Sequence, residues 1–151
     1  MWYGEGPQRS ELEKQIAALS LENKVLLPGR TDHIIEAIQD ASLFVLPSNY
    51  EGMPNALAEA MALGLPCIAT DCPAGGSRFL ISHGVNGIVI PVGDLDALVE
   101  AMCDVIKNPE YANTLSANAI KVADILTATE IYSSWERYIR EVVSSSRNGD
   151  M

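Results

Sequence analysis

Three short apolar runs, each followed by a helical pattern, constrain the fold of this chain more than any other feature. The runs cover residues 43–46, 67–70 and 87–90, and they contain almost no polar side chain. Continuous apolar strands are expected where both faces of a sheet are covered, as in parallel sheets. Because helical patterns alternate with these strands, we predict an α/β fold, a Rossmann-like parallel sheet with helices on both faces.

Other patterns complete the predicted order of elements. Helices are predicted over residues 8–19, 31–41, 54–63, 77–81, 94–107, 109–126 and 128–145, and a fourth strand over 25–27. Trp2 and Tyr3 resemble the end of a strand that enters a turn, so the first strand–helix unit of such a domain is expected upstream. The length of 151 residues is typical of one domain. We therefore predict a single domain over 1–151, with C-terminal helices over 109–145 and a frayed tail over 146–151.

Composition excludes several functions. The formal net charge is −10, and no run is rich in lysine or arginine, which argues against nucleic-acid partners and a polybasic membrane patch. No apolar run reaches the roughly 18–20 residues of a transmembrane helix. The three cysteines and two histidines have no metal-ligand spacing, so neither a metal site nor a disulfide framework is predicted. These features favour a cytoplasmic location, or a membrane-peripheral one in a longer protein.

Polar loops leave the predicted carboxyl ends of the strands at residues 4–7, 47–53 and 71–76. Ligands of open α/β sheets bind at this edge, where helix N-termini and backbone amides favour phosphate. Only ten lysines and arginines are present. A phosphate site here must therefore depend on amides and helix dipoles, or on cations outside the chain.

Two glutamates stand beside the second of these loops. Glu51 lies in the loop, and Glu59 lies eight residues later, on a helix face shared with Asn55 and Ala62. Two carboxylates beside a helix N-terminus can accept hydrogen bonds from the vicinal hydroxyls of a sugar or ribose. The alternative is that Glu51 caps the helix and Glu59 is a solvated surface residue.

The longer segment around the glutamates resembles a known family. Glu51, a seven-residue spacer and Glu59 are followed by a small-residue helix end over residues 60–66, and further similarity covers residues 3–107. This pattern is similar to the retaining glycosyltransferases of family four (glycosyl transferases group 1), whose GT-B fold has two facing Rossmann-like domains. The resemblance implies the C-terminal domain, which binds the nucleotide-sugar donor.

The resemblance also implies roles for matched residues. Glu51 corresponds to the catalytic residue that contacts donor-sugar hydroxyls, and Glu59 to the residue that binds the ribose hydroxyls. The other implied donor-binding positions lie in the turns and at the helix start: Gly6, Gly29, Arg30, Thr31, Gly52, Met53, Pro54, Asn55, Ala56 and Leu57. Arg30 either stacks on the base or is a plain surface residue. Asn55 either reaches the donor or caps its own helix.

Some parts of the family pattern are absent. The arginine and lysine that meet the diphosphate belong to the upstream strand–loop–helix unit, and the N-terminal acceptor-binding domain is missing too, so we expect the chain alone to be inactive. Many relatives carry a glutamate before an apolar pair, whereas here Arg78 precedes Phe79 and Leu80. Arg78 either replaces missing positive charge or pairs with a surface carboxylate.

An apolar stripe on the last helix contains Tyr132, Trp135, Tyr138 and Ile139. It forms either half of an interface with the missing domain or a face packed on this domain's own helices.

The sequence thus predicts the donor-binding domain of a retaining glycosyltransferase of bacterial surface polysaccharide or glycolipid synthesis. The expected donor is a nucleoside-diphosphate sugar, foremost a UDP-sugar, and no metal or other cofactor is expected. Two alternatives stay open: a non-catalytic nucleotide-sugar-binding or interaction module, and half of a GT-B sugar-nucleotide epimerase.

Overall fold

The computed structural model describes the backbone of residues 1–148 and the side chains of residues 1–145. The chain forms two compact units, Met1–Ala37 and Ile38–Met151. Each unit is described by itself, and the prediction of a single domain stays a prediction.

The first unit contains helix α1 (Arg9–Ala18) and a short parallel pairing. The Trp2 amide donates to the Leu26 carbonyl, and the Gly4 amide to the Gly29 carbonyl, each at 2.8 Å. The predicted strand over residues 25–27 is wrong, since the structure forms only an isolated bridge between Tyr3 and Gly29. Pro28 interrupts the segment and has no backbone N–H with which to extend a ladder.

The second unit contains a parallel sheet of three strands in sequence order. They are β1 (Phe44–Leu46), β2 (Cys67–Thr70) and β3 (Ile88–Ile90). The register places Val45, Ile68 and Ile88 side by side. Helices flank this sheet, so the predicted α/β fold with a parallel sheet is confirmed.

The remaining helices follow the predicted order, with bounds that differ from the predicted ones by up to three residues, apart from the helix predicted over 109–126. They are α2 (Ile34–Ile38), α3 (Asn55–Ala62), α4 (Gly76–Leu80), α5 (Leu95–Lys107), α6 (Pro109–Ala119), α7 (Val122–Ile125) and α8 (Ala128–Asn148). Asp94 caps α5, because its carboxylate accepts from the Ala97 amide at 2.9 Å.

Two predictions about the C-terminal region need correction. The helix predicted over residues 109–126 is broken between α6 and α7, where the amides of Lys121, Ala123 and Asp124 each bond to the carbonyl three residues earlier. Such bonds tighten the backbone and end the regular α-helix. Helix α8 continues to Asn148, three residues into the predicted frayed tail, and residues 149–151 lie outside the described residues.

The core of the second unit joins the sheet to its helices. Ile68, Ile88 and Ile90 pack with Ala101 and Val105 of α5 and with Leu115 of α6. From α3, the buried residues are Leu57, Ala60 and Met61.

Helix α8 keeps its apolar stripe exposed. Tyr132, Trp135, Tyr138 and Ile139 are each more than half exposed. The expectation that the stripe packs on the domain's own helices is therefore not met by the described residues. Beside it lies an open groove of about 520 Å³, whose lining includes Phe79 and Ile125.

Candidate functional site

The loop that leaves β1 holds Glu51 in a defined position. Glu51 is half-buried, and the Ser48 hydroxyl donates to its Oε1 at 2.8 Å. No side chain of the described residues caps α3, so the alternative in which Glu51 caps that helix is wrong. The carboxylate therefore stays beside the carboxyl end of β1, oriented by a residue of its own loop.

Ser48 also ties this loop to the neighbouring strand. Its carbonyl oxygen accepts from the Thr70 hydroxyl at 2.5 Å and from the Cys72 thiol at 3.3 Å. Thr70 and Cys72 are both buried. Hydrogen bonds between buried groups fix relative positions well, because each group would lose its partner if the loop moved. Sequence reasoning missed this role of Ser48, since Thr70 and Cys72 lie more than 20 residues away along the chain.

The loop after β2 touches the loop after β1 through the backbone. A Cβ added at Gly76 would lie 1.9 Å from the Gly52 carbonyl oxygen and 2.7 Å from Pro54 Cδ. Only glycine fits at such a contact. Gly75 precedes it with φ of +79°, a left-handed conformation that glycine adopts without strain. The two loops therefore form one continuous edge at the carboxyl ends of β1 and β2.

Helix α3 presents its polar face to solvent. Asn55 and Glu59 are exposed, and the described residues supply no ion pair or side-chain hydrogen bond to the Glu59 carboxylate. Asn55 is the first helical residue and not the cap, so the prediction that it caps its own helix is wrong. Of the other predicted contacts, Gly52, Met53 and Ala56 are exposed, whereas Pro54 and Leu57 are buried and offer only backbone groups.

An exposed ion pair stands at the end of β2. Arg78 Nε donates to Asp71 Oδ1 and Arg78 Nη2 to Asp71 Oδ2, each at 2.5 Å. The hydrogen bond from Arg78 holds the pKa of the Asp71 carboxyl below its ordinary value. Of the two expectations for Arg78, pairing with a surface carboxylate is therefore what the structure contains.

The predicted base-contacting turn lies in the first unit. Gly29 is buried with φ of +85°, and a Cβ there would meet Glu5 Oε1 at 2.7 Å. Arg30 is exposed, and Thr31 Oγ1 accepts from the His33 amide at 3.1 Å. Gly6 is exposed and lines a groove of about 200 Å³.

The described residues contain free thiols, but no metal-binding cluster of side chains and no helix that could span a membrane. Within residues 1–148 no group of three or more His, Cys, Asp or Glu side chains could hold a metal ion. The cysteines are all free, and burial raises the pKa of the Cys67 thiol to about 12. In the part of the chain that the structure describes, no helix has the length and apolar character needed to cross a membrane.

Residues 2–122 match the sequence model of the family described as glycosyl transferases group 1. This chain belongs to the group 1 glycosyltransferase family. The match includes both glutamates and all three strands, and it extends further along the chain than the resemblance over residues 3–107.

The chain is also similar to individual curated proteins. The chain is 34% identical over 143 residues to an exopolysaccharide phosphotransferase of Streptomyces coelicolor, covering 94% of this chain and 15% of that protein. It is 29% identical to an N-acetyl-alpha-D-glucosaminyl L-malate synthase of Bacillus anthracis, covering 97% of this chain and 38% of that protein. The chain thus spans less than two fifths of the length of these curated relatives.

Solved structures share the fold. The crystal structure of Anabaena HepE in complex with UDP-glucose matches with a TM-score of 0.76 and 29% identity, covering 95% of this chain and 40% of that one. The structural neighbours are GT-B glycosyltransferases, and the group 1 domain of this chain is related to enzymes of polysaccharide synthesis.

Proposed function

We propose that this chain is the donor-binding half of a retaining glycosyltransferase of family four and binds a nucleoside-diphosphate sugar. The observation that carries the proposal is the placement of two carboxylates. Glu51 is held in the loop at the carboxyl end of β1, and Glu59 is exposed on the helix that follows. Ligands of open α/β folds bind at this edge.

Glu59 is proposed to bind the ribose. A carboxylate has two acceptor oxygens, and a ribose presents two neighbouring hydroxyl donors. The Glu59 side chain is exposed and engages no side chain of the described residues, so it needs to break no contact before it binds hydroxyls.

Glu51 is proposed to contact the donor sugar near the reaction centre. Its Oε1 already accepts from Ser48, which leaves Oε2 and further lone pairs for sugar hydroxyls. A carboxylate fixed in this way loses little freedom when the sugar binds.

The diphosphate would meet the backbone around the start of α3, which no described side chain caps. Positions 52–57 supply this contact in the proposal. Free amides and the positive end of a helix dipole favour a phosphate.

The family resemblance implies front-face displacement. The bond between the anomeric carbon and the diphosphate oxygen breaks, the acceptor oxygen bonds to the same face, and the leaving diphosphate takes the acceptor proton. The proposed donor is a UDP-sugar, since HepE was crystallised with UDP-glucose. No metal or other cofactor takes part in this proposal.

The complete reaction requires an acceptor site. We propose that an N-terminal acceptor-binding domain supplies it in a longer protein for bacterial surface polysaccharide or glycolipid synthesis. The 151-residue chain alone is then expected to bind donor without transferring sugar, and transfer by the chain alone would contradict this expectation.

The experiment is a calorimetric titration of the purified chain with UDP, GDP and ADP. We expect UDP to bind, and Glu59→Ala to weaken binding roughly tenfold because hydrogen bonds to a charged group are lost. Glu100→Ala is the matched control, since Glu100 is also exposed, on α5. Absence of binding to all three nucleotides would refute the proposal, and unchanged affinity in Glu59→Ala would refute the ribose role.

A further inference from the structure

Arg78 is isolated among the basic residues of the chain. It is the only lysine or arginine between Arg30 and Lys107, a stretch that includes every strand and both loops of the candidate site. The net charge of −10 disfavours the binding of a dianionic ligand unless a cation lies close to the binding site.

Asp71 fixes the Arg78 guanidinium at the carboxyl edge of the sheet. Asp71 directly follows β2, and its own amide donates to the Ile90 carbonyl at the end of β3, at 2.8 Å. The sheet therefore fixes the backbone of Asp71, from which the carboxylate extends. It accepts from Nε and Nη2, which places the guanidinium beside the end of the central strand.

The pairing leaves most of the guanidinium free to bind another group. Arg78 has five N–H donors, and the fork to Asp71 uses Nε and one donor of Nη2. The Nη1 end makes no hydrogen bond within the described residues, and the side chain is 69% exposed. An oriented guanidinium with an open edge is well suited to bind phosphate oxygens.

Helix α4 connects Arg78 to the loop that carries Glu51. Gly76, two residues before Arg78, packs its backbone on the Gly52 carbonyl. The first turn of α4, with Arg78 on it, is thereby held against the loop proposed to contact the sugar and diphosphate. An ion pair this exposed contributes little to folding stability. A contribution to stability is therefore a weak explanation for the fixed geometry of the pair.

We propose that Arg78 is a diphosphate-binding residue of the donor site and that Asp71 is its positioning residue. This inference rests on the proposed function and deepens it, because it supplies within the chain a cation for a ligand phosphate. The Nη1 donors bind the phosphate while Asp71 keeps Nε and Nη2.

The test compares a diphosphate with its nucleoside in variants of the whole chain. Arg78→Gln removes the cation, Asp71→Asn breaks the same ion pair but keeps the cation, and Arg137→Gln is a control on the exposed face of α8. Each variant is titrated with whichever of UDP, GDP and ADP binds the parent chain best, and with the matching nucleoside. Thermal unfolding shows whether each variant remains folded.

We expect Arg78→Gln to weaken diphosphate binding roughly tenfold while nucleoside affinity stays within about twofold. Asp71→Asn should weaken diphosphate binding less than Arg78→Gln, and Arg137→Gln should leave it unchanged. Raised salt should reduce the difference between Arg78→Gln and the parent.

Equal losses of diphosphate affinity in Arg78→Gln and Asp71→Asn would assign the pair a structural role and overturn the inference. A loss of nucleoside affinity in Arg78→Gln would do the same. Unchanged diphosphate affinity in Arg78→Gln would also overturn it. If Glu59→Ala still weakens binding in that case, the proposed function stands while the role of Arg78 falls. If no nucleotide binds the parent chain, both are refuted.

Discussion

A side chain at Gly76 would place its Cβ 1.9 Å from the carbonyl oxygen of Gly52, so the loops after β2 and β1 meet backbone to backbone. The contact joins Glu51 and the Asp71–Arg78 pair into one edge of the sheet. Because backbone atoms move only when the whole loop moves, this contact is harder to relax than one made by side chains.

Gly76→Ala should therefore destabilise the fold. The added methyl group must displace backbone, and overpacking of this kind typically costs about 1–3 kcal/mol. Urea unfolding measures the change. Gly52→Ala is the matched control, since a Cβ at Gly52 would meet nothing within 4 Å. Equal stability of the two variants would show that the loops separate easily.

Ser48→Ala should change ligand preference more than stability. The hydroxyl that orients Glu51 is lost, and one hydrogen bond of this type contributes about 0.5–1.5 kcal/mol to folding. If Glu51 contacts the donor sugar, the ratio of UDP-glucose to UDP affinity should fall in Ser48→Ala and in Glu51→Gln alike. An unchanged ratio in both variants would contradict the proposed role of Glu51.

The strands of the second unit were predictable because their burial leaves a local pattern. Residues of β2 are buried at every position, and in the sequence three apolar residues precede Thr70 at the end of the strand. The same rule failed at residues 25–27, where the apolar run is present but Leu26 is half exposed and the backbone forms only the isolated bridge at Gly29. An apolar run thus predicts a strand only where its residues become buried in a sheet.

The connections within the candidate site were not predictable from the sequence. Thr70 bonds to the Ser48 carbonyl across 22 residues, and Gly76 meets Gly52 across a similar distance along the chain. Such contacts depend on which strands become neighbours, and no local spacing records that. The spacing of Glu51 and Glu59 could be recognised because both belong to one loop–helix segment.

The buried Cys67 thiol should make stability fall at alkaline pH. Its pKa is about 12 in the folded chain against an ordinary value of 9.0, so above pH 9 the unfolded chain releases a proton that the folded chain keeps. One such proton lowers the free energy of unfolding by about 1.4 kcal/mol per pH unit. Cys67→Ala, though less stable at neutral pH, should lose stability less steeply between pH 9 and pH 10.5 in urea unfolding. Parallel slopes would contradict the burial of the thiol.

The Asp71 carboxyl should titrate below its ordinary value of 3.8, chiefly because Arg78 donates to it. A lowered pKa in the folded chain stabilises the fold above pH 3.8, and this stabilisation is lost as the pH falls through the folded value. Carboxyl carbon NMR can follow Asp71 directly. Arg78→Gln should raise its midpoint, whereas Arg137→Gln should not. If Arg78→Gln leaves the titration midpoint of Asp71 unchanged, the ion pair does not persist in solution.

Leu115→Ala and Trp135→Ala should affect stability very differently, although tryptophan is the larger residue. Leu115 is fully buried between α6 and the sheet, and removal of a buried leucine costs about 2–5 kcal/mol. Trp135 is 61% exposed on α8 and makes an edge-to-face contact with Tyr138, so its removal should cost less than about 1 kcal/mol. Urea unfolding of the two variants checks this order. A larger loss in Trp135→Ala would show that α8 packs in solution against a surface that leaves the stripe less exposed than it is here.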